Sequence, residues 1–299
     1  MASFEYPAED SKLLMFVYLE IRALTNACNA KTTEDAECWA KRAVEIRSMR
    51  YAILSESCIS YERGIELVEG TAQYIQTRAS GSGIEKYMTK EMMQPDRVRA
   101  RGYINGAMIC LLLDRLHPAW KEEINIKDAN FPDVILKNAL SKSSGACAFD
   151  PNMMNRQSTA ANNAVDEYLM KKLKLLDDFL GKPGFKIVLD CSKNPMMPAG
   201  FDPMNIEKIS PNELLHKRWL KLSNNTSAIE VMNIESLSEG AGGHPMFRGI
   251  KQVVVAGLTT LPEIRETDGK IEFKTENISA VILKADVEKK DKTLFIRLK

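Results

Sequence analysis

Apolar and polar positions recur at helical spacing through the N-terminal part of the chain and at strand spacing through the rest. After Asp10-Ser11, the residues Leu14, Val17, Tyr18, Ile21 and Leu24 repeat every three or four positions, which predicts a helix ending in the break at 26–31. Thr32, Thr33, Glu34 and Asp35 form an N-terminal signature with acidic residues in the first turn, leading into a second helix that offers Cys38, Ala43, Ile46 and Tyr51 for packing. Two long helices joined by a short polar turn are expected to pack antiparallel. A third helix is predicted over 57–80, and a fourth from Gln94-Pro95-Asp96 to Leu116, where Pro118 stops it. Two more are expected over 131–140 and 161–180, separated by the loop-like stretch 141–158.

The grammar changes at Gly181-Lys182-Pro183-Gly184. Beyond it, β-branched or alternating runs at 185–190, 214–222, 228–232, 252–256, 271–274, 278–284 and 293–298 are separated by turn signals such as Ser223-Asn224-Asn225, Gly242-Gly243 and Asp268-Gly269. The expected fold class is α+β: a helical domain over 1–181, then an all-β antiparallel sandwich or barrel over 182–299.

The helix over 57–80 has an unusual polar face. Ile65, Val68, Ala72, Ile75 and Ala79 form an apolar stripe, read here as its buried side. One position further round stand Glu62, Glu66, Glu69, Gln73 and Gln76, so a column of carboxylates borders that stripe. Such a column needs a partner, and the sequence leaves three open: a cation, a set of arginines, or water. The charged residues Lys41, Arg42, Glu45, Arg47 and Arg50 of the second helix read first as a solvated face, with an arginine partner for the column as the alternative.

The residues ELVEGTAQY resemble the second zinc-site helix of gluzincin metallopeptidases, where an EGxAxY pattern supplies a glutamate as third metal ligand. The match falls on Glu69, Gly70, Ala72 and Tyr74. FEYPAED at 4–10, RGYINGAMICLLLDRLHPAWK at 101–121, and GFDPMN with LLHKRWLKL within 200–222 also resemble segments of uncharacterised bacterial proteins of this type, so nearly the whole chain is covered. The resemblance implies a helical half that matches the downstream part of a gluzincin catalytic domain. It assigns Glu69 as a metal ligand, and helical spacing sets Glu62 and Glu66 in the same column. Tyr103, in RGYING, would be a hydrogen-bond donor to an oxyanion, with a core tyrosine as the plainer reading.

The chain departs from that family in one respect that decides its chemistry. No HEXXH occurs in it, and His117, His216 and His244 are isolated from one another. A catalytic zinc needs three protein ligands and a general base, so no cofactor is expected in this chain, and zinc only if a HEXXH helix is supplied. Two functions of different class follow. One is a metallopeptidase-like protein, a fragment or a degenerate member, inactive as this chain; the other is a non-enzymatic interaction or scaffold protein with a helical domain and a β module. No G-x-S-x-G elbow appears, and SGSG at 80–83 lacks the Lys-Ser/Thr ending of a phosphate loop.

Composition narrows the partners. Lys plus Arg number 41 against 40 Asp plus Glu among 299 residues, a formal charge of +1 that gives no bulk attraction to nucleic acid. Apolar runs such as MICLLL are far shorter than the ~18 to 20 residues of a membrane span, which leaves a peptide or protein as the expected partner. The opening MASFEYPAED shows no secretory signal, and six cysteines without C-x-x-C spacing read as buried free thiols. Both point to the cytoplasm, or to export if an upstream signal has been lost.

Overall fold

The computed structural model describes residues 6–125, 127, 130–140 and 145–299. Phe4 and Glu5 of FEYPAED and the first four residues of the expected 141–158 loop lie outside them. The chain divides into two compact units, Met1–Leu169 and Met170–Lys299.

Helix α1 (Ser11–Asn29) starts where Asp10 Oδ1 accepts from the Leu13 N–H at 2.9 Å, and α2 (Thr33–Tyr51) where Thr32 Oγ1 accepts from the Asp35 N–H at 3.1 Å. These caps satisfy backbone donors that the first helical turn leaves without partners. Helix α3 (Glu56–Ile65) runs through a single π-helical turn, Glu66–Gly70, into α4 (Thr71–Ser80), which ends at Gly81 in the left-handed conformation. Helices α5 (Val98–Leu116), α6 (Trp120–Glu123), α7 (Pro132–Ala139) and α8 (Met153–Leu180) follow. Helix α8 therefore takes over the last six residues of the loop expected over 141–158. Leu19, Leu24, Met92, Met108, Ile109, Leu112, Leu113, Ile135 and Leu136 are fully buried in the helical core, and Ala161 and Val165 of α8 join it.

The helix over 57–80 is turned the other way from its expected orientation. Val68 and Ile75 are 66% and 63% exposed, Ala72 and Ala79 are exposed too, and only Ile65 of the apolar stripe is buried. The inward side carries Glu62, Glu66, Gly70, Tyr74 and Thr77. The cause is a backbone contact. A Cβ on Gly70 would come within 2.6 Å of the Gly106 Cα, and one on Gly106 within 2.5 Å of the Glu66 carbonyl oxygen. Gly102 lies one turn earlier on the same side of α5, where a Cβ would meet Ile65 Cγ2 at 2.5 Å. Three glycines thus let the π turn lie directly on α5, and that close approach fixes which residues face in.

The cysteines also differ from expectation. Cys28, Cys58, Cys110 and Cys191 are free, but Cys38 and Cys147 form a disulfide.

In the second unit the strands are β1 (Phe185–Asp190), β2 (Met197–Phe201), β3 (Ile206–Ser210), β4 (Glu213–His216), β5 (Trp219–Ser223), β6 (Ala228–Met232), β7 (Ser236–Gly240), β8 (Ile250–Leu258), β9 (Arg265–Thr267), β10 (Lys270–Lys274), β11 (Ile278–Leu283), β12 (Ala285–Lys290) and β13 (Thr293–Leu298). A short helix α9 (Pro245–Arg248) precedes β8. One sheet has the order β12-β13-β1-β8-β7-β4-β3 and the other β2-β5-β6-β11-β10-β9. All named pairings are antiparallel except β1 with β13, which run parallel. Ile187, Leu189, Val253, Val255 and Ile296 of the first sheet share one core with Leu220, Ile229, Phe273 and Ile282 of the second, so the unit is a sandwich. Phe179, Leu175 and Leu176 from the end of α8 cover Leu215, Leu237 and Ala256 on the other face of the first sheet.

Candidate functional site

The carboxylate column is split between two environments. Its inner members meet arginines, because α2 presents Arg47 and Arg50 one turn apart toward the interior, 6% and 2% exposed. Arg47 donates from both terminal nitrogens to Glu66, each at 2.6 Å, and from Nε to Glu20 Oε1 at 2.7 Å. Arg50 donates from Nε to Glu20 Oε2 at 2.7 Å and from Nη1 to Glu62 Oε1 at 2.6 Å. Glu20 of α1 is therefore shared by two guanidiniums, and each guanidinium grips one glutamate of the column. The expected solvated face of α2 is in this respect wrong: Arg47 and Arg50 supply the arginine partner that the sequence left as the alternative.

Further groups close the network. The Tyr6 hydroxyl donates to Glu62 Oε1 at 2.5 Å, Arg63 Nη2 lies 3.0 Å from Asp133 Oδ2, and the guanidiniums of Arg47, Arg50 and Arg63 lie 4.9 to 5.6 Å from the Tyr51 ring centre. Arg101 of α5 points its donors at the carbonyls of Met92, Gln94 and Pro95. Burial raises the pKa of Glu66 to about 7, with Arg47 pulling the other way. Burial also opposes the charge on Glu20, but Arg47 and Arg50 outweigh it and hold its pKa below the usual value. The Tyr6 hydroxyl is raised by burial and by the Glu62 charge. Beside Glu62 and Glu66, the space bounded by Arg50, Arg101 and Asn105 measures about 10 Å³, room for no more than about one water. Buried charges held this way are structural unless something opens them.

Glu69 stands apart, on the outside of the π turn. The Arg99 guanidinium of α5 pairs with its carboxylate, and Tyr103, four residues further along α5, and Arg99 together lower its pKa, Tyr103 the more. Glu69 and Tyr103 lie near each other on the outer side of the π turn, while Glu62 and Glu66 face inward. The exposed Val68, Ala72 and Ile75 flank Glu69 along the same rod.

These residues do not fit a zinc ion by themselves. Glu69 offers one carboxylate, already engaged by Arg99 and Tyr103, and among the described residues no group of three or more His, Cys, Asp and Glu could hold a metal ion. The histidines lie elsewhere. His117 caps the end of α5 and contacts Glu123, His244 opens α9, and His216 is wholly buried in β4. Asp114, expected to be paired or at an edge, accepts from the Tyr74 hydroxyl at 2.7 Å, Trp120 Nε1 at 3.0 Å and Lys121 Nζ at 3.2 Å.

Sequence reasoning missed Glu20 and Gly106. Glu20 lies in an apolar helix with no motif around it. Gly106 carried a signal, since Gly102 and Gly106 one turn apart mark a place where another backbone can approach. No protein-family model matches the chain, and neither a curated protein nor a solved structure is found to be similar to it.

No helix among the described residues is long and apolar enough to cross a membrane.

Proposed function

We propose that the chain is a metallopeptidase-like protein without peptidase activity of its own, and that the outer face of the π turn is its binding surface. The observation that carries this reading is the exposure of Val68 and Ile75, 66% and 63%, on the face where Glu69 is ion-paired with Arg99 beside Tyr103. A peptidase cleft needs a carboxylate, an oxyanion donor and apolar walls, roles that Glu69, Tyr103, Val68 and Ile75 would fill on this face. It holds neither two imidazoles nor a base to activate water. Zinc chemistry there would need ligands from a helix supplied by other residues, with Glu69 as this chain's own contribution. The purified chain, with zinc added, is expected to leave a set of fluorogenic peptides intact. Hydrolysis that a chelator stops and Glu69→Gln abolishes would overturn the proposal.

A second reading, a non-enzymatic interaction protein, is favoured by the arginine closure of Glu62 and Glu66. Carboxylates gripped by Arg50 and Arg47 serve the fold, and Glu69 is then a rim charge on a partner surface. The spacing of Val68, Ala72, Ile75 and Ala79 by four, three and four residues suits one apolar face of a partner helix. Ile75→Asp would abolish partner binding on this reading, with the melting temperature unchanged.

A further inference from the structure

We propose that the cleft where α1 and α4 end is a binding site for a small zwitterion with an apolar side chain, a free amino acid or a dipeptide. The cleft lies within the helical unit and measures about 340 Å³, at the lower end of the ~300 to 1,000 Å³ that small-ligand sites occupy. It shares no residue with the exposed face of Val68 and Ile75, and it stands whether or not that face binds a partner.

The walls follow from how the helices finish. Ala27 and Cys28 come from the last turn of α1, and Leu111 and Leu112 from α5. The third wall is the chain leaving α4, which turns at Gly81 and passes through Ser82 and Gly83 to Ile84 and Glu85. Ile84 is buried in the helical core and anchors this return, whereas Glu85 beside it stays exposed. Ala27, Ile84, Leu111 and Leu112 give the cleft an apolar floor. The stretch SGSG at 80–83, which lacks the ending of a phosphate loop, is thus part of a pocket of another kind.

Charges of both signs line this floor, and they are not spent on each other. Glu85 makes no ion pair among the described residues, and its carboxylate folds back over Gly83, where a Cβ would meet Glu85 Oε2 at 2.6 Å. Arg115 donates from Nη1 to the Ala30 carbonyl at 2.7 Å and keeps its other nitrogens open. Arg78 has only Asp114 near it, at 3.8 Å, on a side chain 65% exposed. Glu85 and Arg115 act on the same thiol: burial pushes Cys28 up to about 12, the Glu85 charge adding to the rise and the Arg115 charge opposing it.

A ligand that fits must supply both counter-charges. Its ammonium belongs at Glu85, where the carbonyl ends of α1 and α4 add partial negative charge. Its carboxylate belongs at Arg78 and the open nitrogens of Arg115, as charge-assisted hydrogen bonds. Its side chain displaces water from Leu111 and the floor beneath. A plain anion would meet Glu85 and two helix C-termini, and a plain cation would meet two guanidiniums, so neither charge alone suits the cleft.

The test is a titration of the full chain with leucine and with leucyl-leucine, followed by NMR of the backbone amides. N-acetylleucine and leucinamide, each lacking one charge, serve as controls. At least one zwitterion should shift the amides of Ser82, Gly83 and Glu85 and approach saturation by about 10 mM, and which of the two does so distinguishes amino acid from dipeptide. Both blocked analogues should bind roughly tenfold more weakly. Glu85→Gln should weaken the zwitterion about tenfold and leave N-acetylleucine unchanged, while Arg78→Gln should weaken it equally and leave leucinamide unchanged. Both residues are exposed, and an unchanged Tm verifies that each variant is folded. Failure of both zwitterions to bind, shifts confined to other amides, blocked analogues that bind as tightly, or indifference to both substitutions would sink the proposal.

Discussion

A Cβ on Gly106 would sit 2.5 Å from the carbonyl oxygen of Glu66. These two residues set the orientation of the whole rod from α3 to α4, because the π turn rests on the glycine side of α5. Once it does, Glu62 and Glu66 point at Arg50 and Arg47, and Val68 and Ile75 point at solvent.

Gly106→Ala should therefore push the π turn off α5. The clash is with backbone, which cannot rotate aside, so the expected loss is about 1 to 3 kcal/mol in a denaturant melt, the usual range for overpacking. A melt identical to wild type would show that the two helices do not touch here.

The buried network should respond unevenly to its own truncation. Arg50→Met leaves Glu62 and Glu20 short of a cation in the interior, and about 3 to 5 kcal/mol of stability should be lost. Glu66→Gln should cost less, because burial has already raised that carboxyl to about 7 and the neutral amide suits its position better. Urea melts at pH 7 of the two variants check the order, and the reverse order would count against the network.

His216 gives the β sandwich an acid sensitivity of known sign. It is fully buried, its Nε2 lies 2.9 Å from Ser238 Oγ, and burial lowers its pKa from 6.5 to about 4. Above pH 6.5 the ring is neutral folded or unfolded and the contribution is constant. Between pH 6.5 and 4 the unfolded chain takes up a proton that the folded chain refuses, so stability falls by about 3 kcal/mol and then levels off below pH 4. In His216→Gln the part of the slope due to this residue should vanish, as followed by melts from pH 7.5 to 4. An unchanged slope would place the sensitivity elsewhere.

Much of the fold was legible because it rests on local pattern. Asp10 and Thr32 mark helix starts by cap chemistry, and the runs 185–190, 228–232 and 293–298 coincide with β1, β6 and β13. Strands β2, β3, β7, β9 and β12 were not separately legible: Met197–Phe201 contains Pro198 and Gly200, and Ala285–Lys290 has almost no apolar residues to alternate. The run 214–222 was read as one strand, but the turn at Lys217-Arg218 divides it into β4 and β5, which lie in different sheets. The candidate site was harder. Helical periodicity says that two faces differ, and hydrophobicity then chose Val68 and Ile75 as the inner one. The choice was reversed by partners far away in sequence, Glu20, Arg47, Arg50 and the glycines of α5, which no local window contains.

The central claim is that the carboxylate column is divided, with Glu62 locked inward by Arg50 and Glu69 outward beside Tyr103 and Arg99. Denaturant melts of Glu62→Gln and Glu69→Gln, run side by side on the same metal-free preparation, test it directly. The account predicts a loss of about 3 to 5 kcal/mol for Glu62→Gln, since a buried guanidinium and Tyr6 lose their partner, and no measurable change for Glu69→Gln, whose partner Arg99 is solvent-exposed. A stable Glu62→Gln with a destabilised Glu69→Gln would contradict it.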